Sequence, residues 1–130
     1  MIAKVIDLEN IKIVGINKKY NVNKKGRMYL SDGYRVFKKM LVFSCVKTKI
    51  PPPYHVKIKT HCYHDIDAVT KVILDAIQTA GVIDDDKNVL MCTQYKMPIS
   101  KNTPGKIQVE VSSLVGLDIY KDYANIFEKL

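Results

Sequence analysis

Two aspartates one residue apart, Asp65 and Asp67, stand at the head of an amphipathic run. Lys71 follows four residues after the second, and Asp84, Asp85 and Asp86 come just after the run ends. Carboxylates gathered at one place repel one another, and protonation or a bound divalent cation relieves the repulsion. Oxygen ligands without a neighbouring imidazole–thiolate set favour Mg2+ or Mn2+ over zinc. Each part also has a plainer reading. Aspartates at a helix start satisfy free amides and the helix dipole. Lys71 can pair with Asp67 or Asp75 on a solvated face, and "DDDKN" (84–88) can be a polar turn. The chemistry requires the chain to return a carboxylate from that turn to the D-x-D pair.

The element that must do this is a helix from about Ile66 to Ala80. Val69, Val72, Ile73, Ala76, Ile77 and Ala80 form its apolar stripe. Gly81 stands where a left-handed C′ residue belongs. Asp67, Lys71, Asp75 and Gln78 fall on the opposite side. Leu74, apolar on that side, reads either as an interface residue or as an ordinary isolated exposed leucine.

Around this helix, 11–16 ("IKIVGI") alternates and predicts a strand, while 17–30 predicts a basic loop. A helix over 31–47 begins at Ser31 or Asp32 and places Tyr34, Phe37, Leu41 and Cys45 or Val46 at helical spacing. "TKIPPPY" ends it. Strands follow over 55–63, 88–97 and 107–113, and an amphipathic helix over 117–130. The expected fold is α/β (α+β): one small mixed β-sheet, two main helices packed on one face, and a short C-terminal helix.

The length of 130 residues suits one domain with its own core. No apolar run approaches a membrane span. The N-terminus is acidic and polar too early for a signal peptide, so a cytoplasmic protein is expected. Cys45, Cys62 and Cys92 read as reduced thiols. Charge is divided along the chain. Residues 1–60 hold 14 Lys and Arg against Asp7, Glu9 and Asp32, whereas the remainder holds 7 bases and 10 acids. A basic half beside an acidic knot fits a polyanion brought to a cation-binding site, although lysines alone also serve solubility. Lys18, Lys19, Lys24, Lys25 and Arg27, with Lys96 and Lys101 as a second set, are the candidates for contacts to such a polyanion; in a nucleic acid, phosphate contacts position the strand without reading sequence.

The assembled pattern resembles the RusA family of Holliday junction resolvases. It runs Asp65-Ile-Asp67, Lys71, "LDAIQTAG" (74–81), Asp85-Asp86, Val89 and "YKMPISK" (95–101). The basic stretch 17–40 and the strand "VKIKTHCY" also resemble the segments that precede the motif, so the likeness spans about 11–113. It implies a small homodimeric endodeoxyribonuclease that uses Mg2+ or Mn2+ to place symmetric nicks across four-way DNA during recombination and repair. It implies catalytic, metal-holding roles for Asp65, Asp67 and Asp86 and an essential role for Lys71, with Asp85 open as the substitute for Asp86. The sequence departs from the pattern in Ala68, where an Asn is usual, and in His64, where a more basic residue is usual. The tail from Leu114 extends past the usual core.

On this reading the metal would activate a water and stabilise the leaving oxygen. Lys71 would neutralise charge on the phosphorus or position the water. A two-fold junction calls for a symmetric dimer. The alternative is a non-catalytic, basic DNA- or junction-binding module whose aspartates only cap helices. "HCYH" (61–64) with Cys92 matches no common zinc spacing. Tyr20 and Tyr29 could stack on bases, whereas Tyr34 is expected in the core.

Overall fold

A computed structural model describes residues 2–15, 20–117, 121 and 124–129, giving Tyr20, Asn21, Tyr29, Leu30 and 125–127 by backbone alone. The elements run β1 (Ile2–Ile11), β2 (Tyr20–Val22), β3 (Met28–Leu30), α1 (Asp32–Ser44), β4 (Tyr54–Cys62), α2 (Ile66–Thr79), a 3-10 turn (Asp86–Asn88), β5 (Val89–Pro98), β6 (Gly105–Ser113) and α3 (Ala124–Lys129). The main sheet has the order β1-β6-β4-β5. It is mixed: β6 is antiparallel to β1 and β4, and β5 is parallel to β4. A parallel pair needs a crossover, and α2 supplies it.

The mixed α+β sheet with two principal helices agrees with the sequence. The first strand does not: it is Ile2–Ile11, not 11–16. Its alternation is hidden by an irregularity between Lys4 and Ile6, which sends the consecutive Val5 and Ile6 both into the core. A second shift lies between Leu8 and Ile11, where Asn10 takes φ 53°, a left-handed conformation Asn tolerates. Nor is 20–30 plain loop. It contains the β2–β3 hairpin, whose turn is tied by the Asn23 side chain accepting from the Lys25 and Arg27 amides, both at 2.9 Å. Six helical residues, Ala124–Lys129, lie near the C-terminus. The expected helix over 117–130 otherwise falls partly on 118–120, 122–123 and 130, outside the described residues.

One face of the sheet is apolar. Tyr54, Val56, Ile58 and Cys62 from β4 and Ile107, Val109 and Val111 from β6 share a single buried cluster with Tyr34, Phe37 and Leu41 of α1 and Val69, Val72, Ile73, Ala76 and Ile77 of α2. Tyr34 is thus a core residue, as expected. Leu74 is half-buried against this cluster rather than exposed, because a side chain at the edge of the stripe leans back onto the core. Ser31 caps α1 by accepting from the Tyr34 amide at 3.2 Å. At the far end of α2, Gly81 has φ 80°, its amide donates to Gln78 at 3.0 Å, and Val82 donates to Ile77 at 3.0 Å. This paired closure ends the helix and starts the acidic turn toward β5. Gly105 opens β6 where a Cβ would come within 2.5 Å of Ile13 Cδ1 and 2.7 Å of the His61 carbonyl oxygen, so glycine lets both the segment before the hairpin and β4 lie this close. No helix among the described residues is long and apolar enough to cross a membrane.

Candidate active site

β4 alternates buried and open residues up to Cys62, and Tyr63 and His64 then carry the chain off its carboxyl end to Asp65. Open sheets bind ligands at such carboxyl ends. The exit is held from three directions. The His64 ring nitrogen Nε2 bonds the Ile13 carbonyl at 3.0 Å, the Ile99 amide donates to the Cys62 carbonyl at 3.4 Å, and Lys96 Nζ donates to the Tyr63 carbonyl at 3.5 Å. Cys62 is buried, with its thiol directed to the His64 carbonyl at 3.4 Å, and Cys92 lies exposed on β5.

Asp65 occupies the N-cap position of α2 with extended backbone angles, yet its side chain makes no capping hydrogen bond. That sets it apart from Ser31, which caps α1 in the usual way. Asp67 sits in the first turn, is exposed, and accepts from the adjacent Ala68 amide at 2.9 Å. Both carboxylates therefore keep oxygen lone pairs facing solvent at the positive end of a helix dipole.

One turn further along, Lys71 Nζ reaches Asp86 Oδ2 at 3.0 Å and Asp75 Oδ1 at 3.2 Å. Of the two partners weighed from the sequence, Asp67 and Asp75, it is Asp75 that Lys71 meets. The hydrogen bonds that Lys71 donates to Asp86, then to Asp75, raise its pKa above the usual lysine value, so the side chain is an ammonium at neutral pH. Reciprocally, the Lys71 ammonium holds the Asp86 carboxyl below the usual carboxylate value. Gln78 Oε1 accepts from the Asp86 amide at 3.2 Å and fixes the turn against the helix. The acid that the chain returns to α2 is Asp86, and it meets Lys71, one turn beyond the D-x-D pair. Asp85 instead caps the 3-10 turn, accepting from the Lys87 amide at 3.0 Å. Asp84 accepts from the Tyr54 hydroxyl at 3.1 Å and the Asn88 amide group at 3.0 Å. Its carboxyl is held low, first by Asn88.

The donor chemistry of Asp65, Asp67 and Asp86 suits a hard divalent cation. Their arrangement is open: among the described residues no three His, Cys, Asp or Glu side chains are grouped as metal ligands. Ala68 is buried, and a Cβ on Gly15 would come within 3.1 Å of the Ala68 Cβ. Ala68 therefore lies close under the segment before the hairpin.

Of the basic candidates, Lys96 and Lys101 flank the exit of β4, the first through its bond to Tyr63 and the second in the turn after β5. Lys24, Lys25 and Arg27 are exposed at the hairpin tip. Lys18 and Lys19 lie outside the described residues. Three supporting residues were not singled out from the sequence: Tyr54 and the pair Thr70–Gln94, whose Oγ1 and Oε1 lie 2.6 Å apart across α2 and β5. Only the parallel pairing of β4 and β5 brings Gln94 beneath Thr70, and that pairing is set by the whole sheet.

No family model matches the chain. It is 24% identical over 106 residues to the crossover junction endodeoxyribonuclease RusA of Escherichia coli O139:H28 (strain E24377A / ETEC), an alignment that takes in 75% of this chain and 87% of that protein. This supports a RusA-like chain at most.

Proposed function

We propose that the protein is a divalent-metal-dependent endonuclease that resolves four-way DNA junctions by paired nicks, acting as a symmetric dimer. The observation that carries this reading is Asp65. A carboxylate in the N-cap position that does not cap is held for something other than the helix. The similarity to a crossover junction endodeoxyribonuclease points the same way.

Asp65, Asp67 and Asp86 are the residues that would hold Mg2+ or Mn2+, which when bound supplies an activated water and charge for the leaving oxygen. The remaining work falls to the chain. Lys71, anchored by Asp75 as well as Asp86, presents a fixed positive charge to a phosphate entering over α2. Such preset charge stabilises the extra negative charge that builds on phosphorus. Lys96, Lys101 and the hairpin tip contact phosphates and orient the branch.

A second reading, a junction-binding module without activity, is favoured by the absence of a three-acid group among the described residues. A labelled four-way junction and the matching linear duplex, each with and without Mg2+, separate the two. The nuclease reading expects opposed nicks in the junction only, and only with metal. Binding of the junction without any cut in Mg2+ or Mn2+ would support the module instead.

A further inference from the structure

A cleft of about 450 Å3 opens beside the β4 exit, between the segment before the hairpin, the start of α1 and the turn joining β5 to β6. That volume falls within the range of small-molecule sites, roughly 300–1,000 Å3. Its lining combines apolar and polar residues. Ile13, Ile99 and Tyr63 give it apolar and aromatic surface, and Lys12, Lys101 and Asn102 stand among its polar lining. Among the described residues that line it there is no carboxylate. Tyr63 is half exposed, with its ring set edge-on to His64 at 5.9 Å between centroids. Tyr63 and His64 also form the chain that delivers Asp65, so the cleft adjoins the proposed cutting site directly.

A phosphate alone would leave the apolar walls unused, and an apolar ligand would leave two lysines unmatched. A nucleotide uses both: a base with a π-face for an aromatic wall, an edge for an amide, and flanking phosphates for cations. We propose that this cleft is a nucleotide pocket that takes one unstacked base of the DNA strand next to the scissile phosphate. Lys12 and Lys101 hold the phosphates on either side, and Asn102 reads the base edge. The pocket thereby selects the sequence at which the junction is cut. The inference rests on the nuclease reading above, because it assigns the pocket to the strand being cut.

The test uses the Asp67→Asn protein, so that DNA is bound without being cut, and junctions carrying a single 2-aminopurine at successive positions around the branch. Fluorescence is expected to rise at one position and to stay low at the others. Filling the cleft with Ile99→Trp is expected to abolish the rise. Since Ile99 is only partly buried, Asn102→Leu on the exposed turn serves as the second variant. In the otherwise wild-type protein it is expected to reduce discrimination between bases at that position by about tenfold, the scale of one lost base-edge contact. No rise at any position in a complex shown to be formed would overturn the pocket, as would a rise that Ile99→Trp leaves unchanged together with base discrimination that Asn102→Leu leaves unchanged. Wild-type cutting in Mg2+ is scored separately. Cutting without a rise removes the pocket and leaves the nuclease; a rise without cutting keeps the base site and removes the nuclease.

Discussion

At the start of α2, Asp65 and Asp67 hold their carboxylates toward solvent, with only the Ala68 amide bonded to either among the described residues. After the helix, Asp84, Asp85 and Asp86 are each engaged: with Tyr54 and Asn88, with the Lys87 amide, and with Lys71. The two groups have the same residue type and similar density in sequence. One is knitted into a turn and the other is left open. An acidic cluster is therefore not one feature. Its members separate into those that build the backbone and those whose charge remains available, and Asp86 is the member of the group after the helix that meets Lys71.

Removing Lys71 has the largest effect. Lys71→Met is expected to lower junction cutting by about 100-fold or more, the scale of one lost transition-state donor. Its stability is expected to change by less than about 1 kcal/mol, because an exposed ion pair contributes little. Single-turnover cleavage and urea denaturation on the same preparation check both halves. A stability loss that accounts for all of the activity loss would make Lys71 structural.

Metal addition probes the open pair. Mg2+ or Mn2+ at about 100 times its Kd is expected to stabilise the fold by about 2.7 kcal/mol, read as a rise in Tm, and Asp67→Asn is expected to lose most of that rise. Asp85→Ala tests the knitted group. It removes a cap, with an expected cost of about 1 kcal/mol, and leaves cutting near the wild-type rate.

The smallest effect is in acid. The Asp86 carboxyl titrates below the ordinary value of 3.8 because Lys71 favours its charged form. A carboxyl lowered on folding adds stability above its unfolded pKa, and that stability is lost as pH falls through the folded value. An NMR titration is expected to show Asp86 moving up toward 3.8 in Lys71→Met. If it stays where it is, the Lys71–Asp86 pair at 3.0 Å does not persist in solution.

How much of this was legible in the sequence follows from how local each signal is. α2 and its closure at Gly81 depend on helical spacing and one left-handed residue, and both are visible in the letters. So is the cap of α1 at Ser31. β1 was not legible, because a bulge places Val5 and Ile6 on the same side and erases the period of two. At the site, the residue types could be read but their division of labour could not. The sequence left Asp85 and Asp86 interchangeable, and one turn of 3-10 helix directs the first to its own backbone and the second to Lys71. Asp75 as the second anchor of Lys71 needs only helical spacing, whereas Gln78 on the Asp86 amide needs the turn itself.

The most direct test of the central claim compares Asp65→Asn with Asp85→Asn on a labelled four-way junction in Mg2+, with binding measured alongside. Asp65→Asn is predicted to bind the junction as wild type does and to cut it at least about 100-fold more slowly, while Asp85→Asn cuts at close to the wild-type rate. If Asp65→Asn cuts as fast as wild type, the uncapped carboxylate has no part in the chemistry, and the distinction between the open and the knitted aspartates carries no functional meaning.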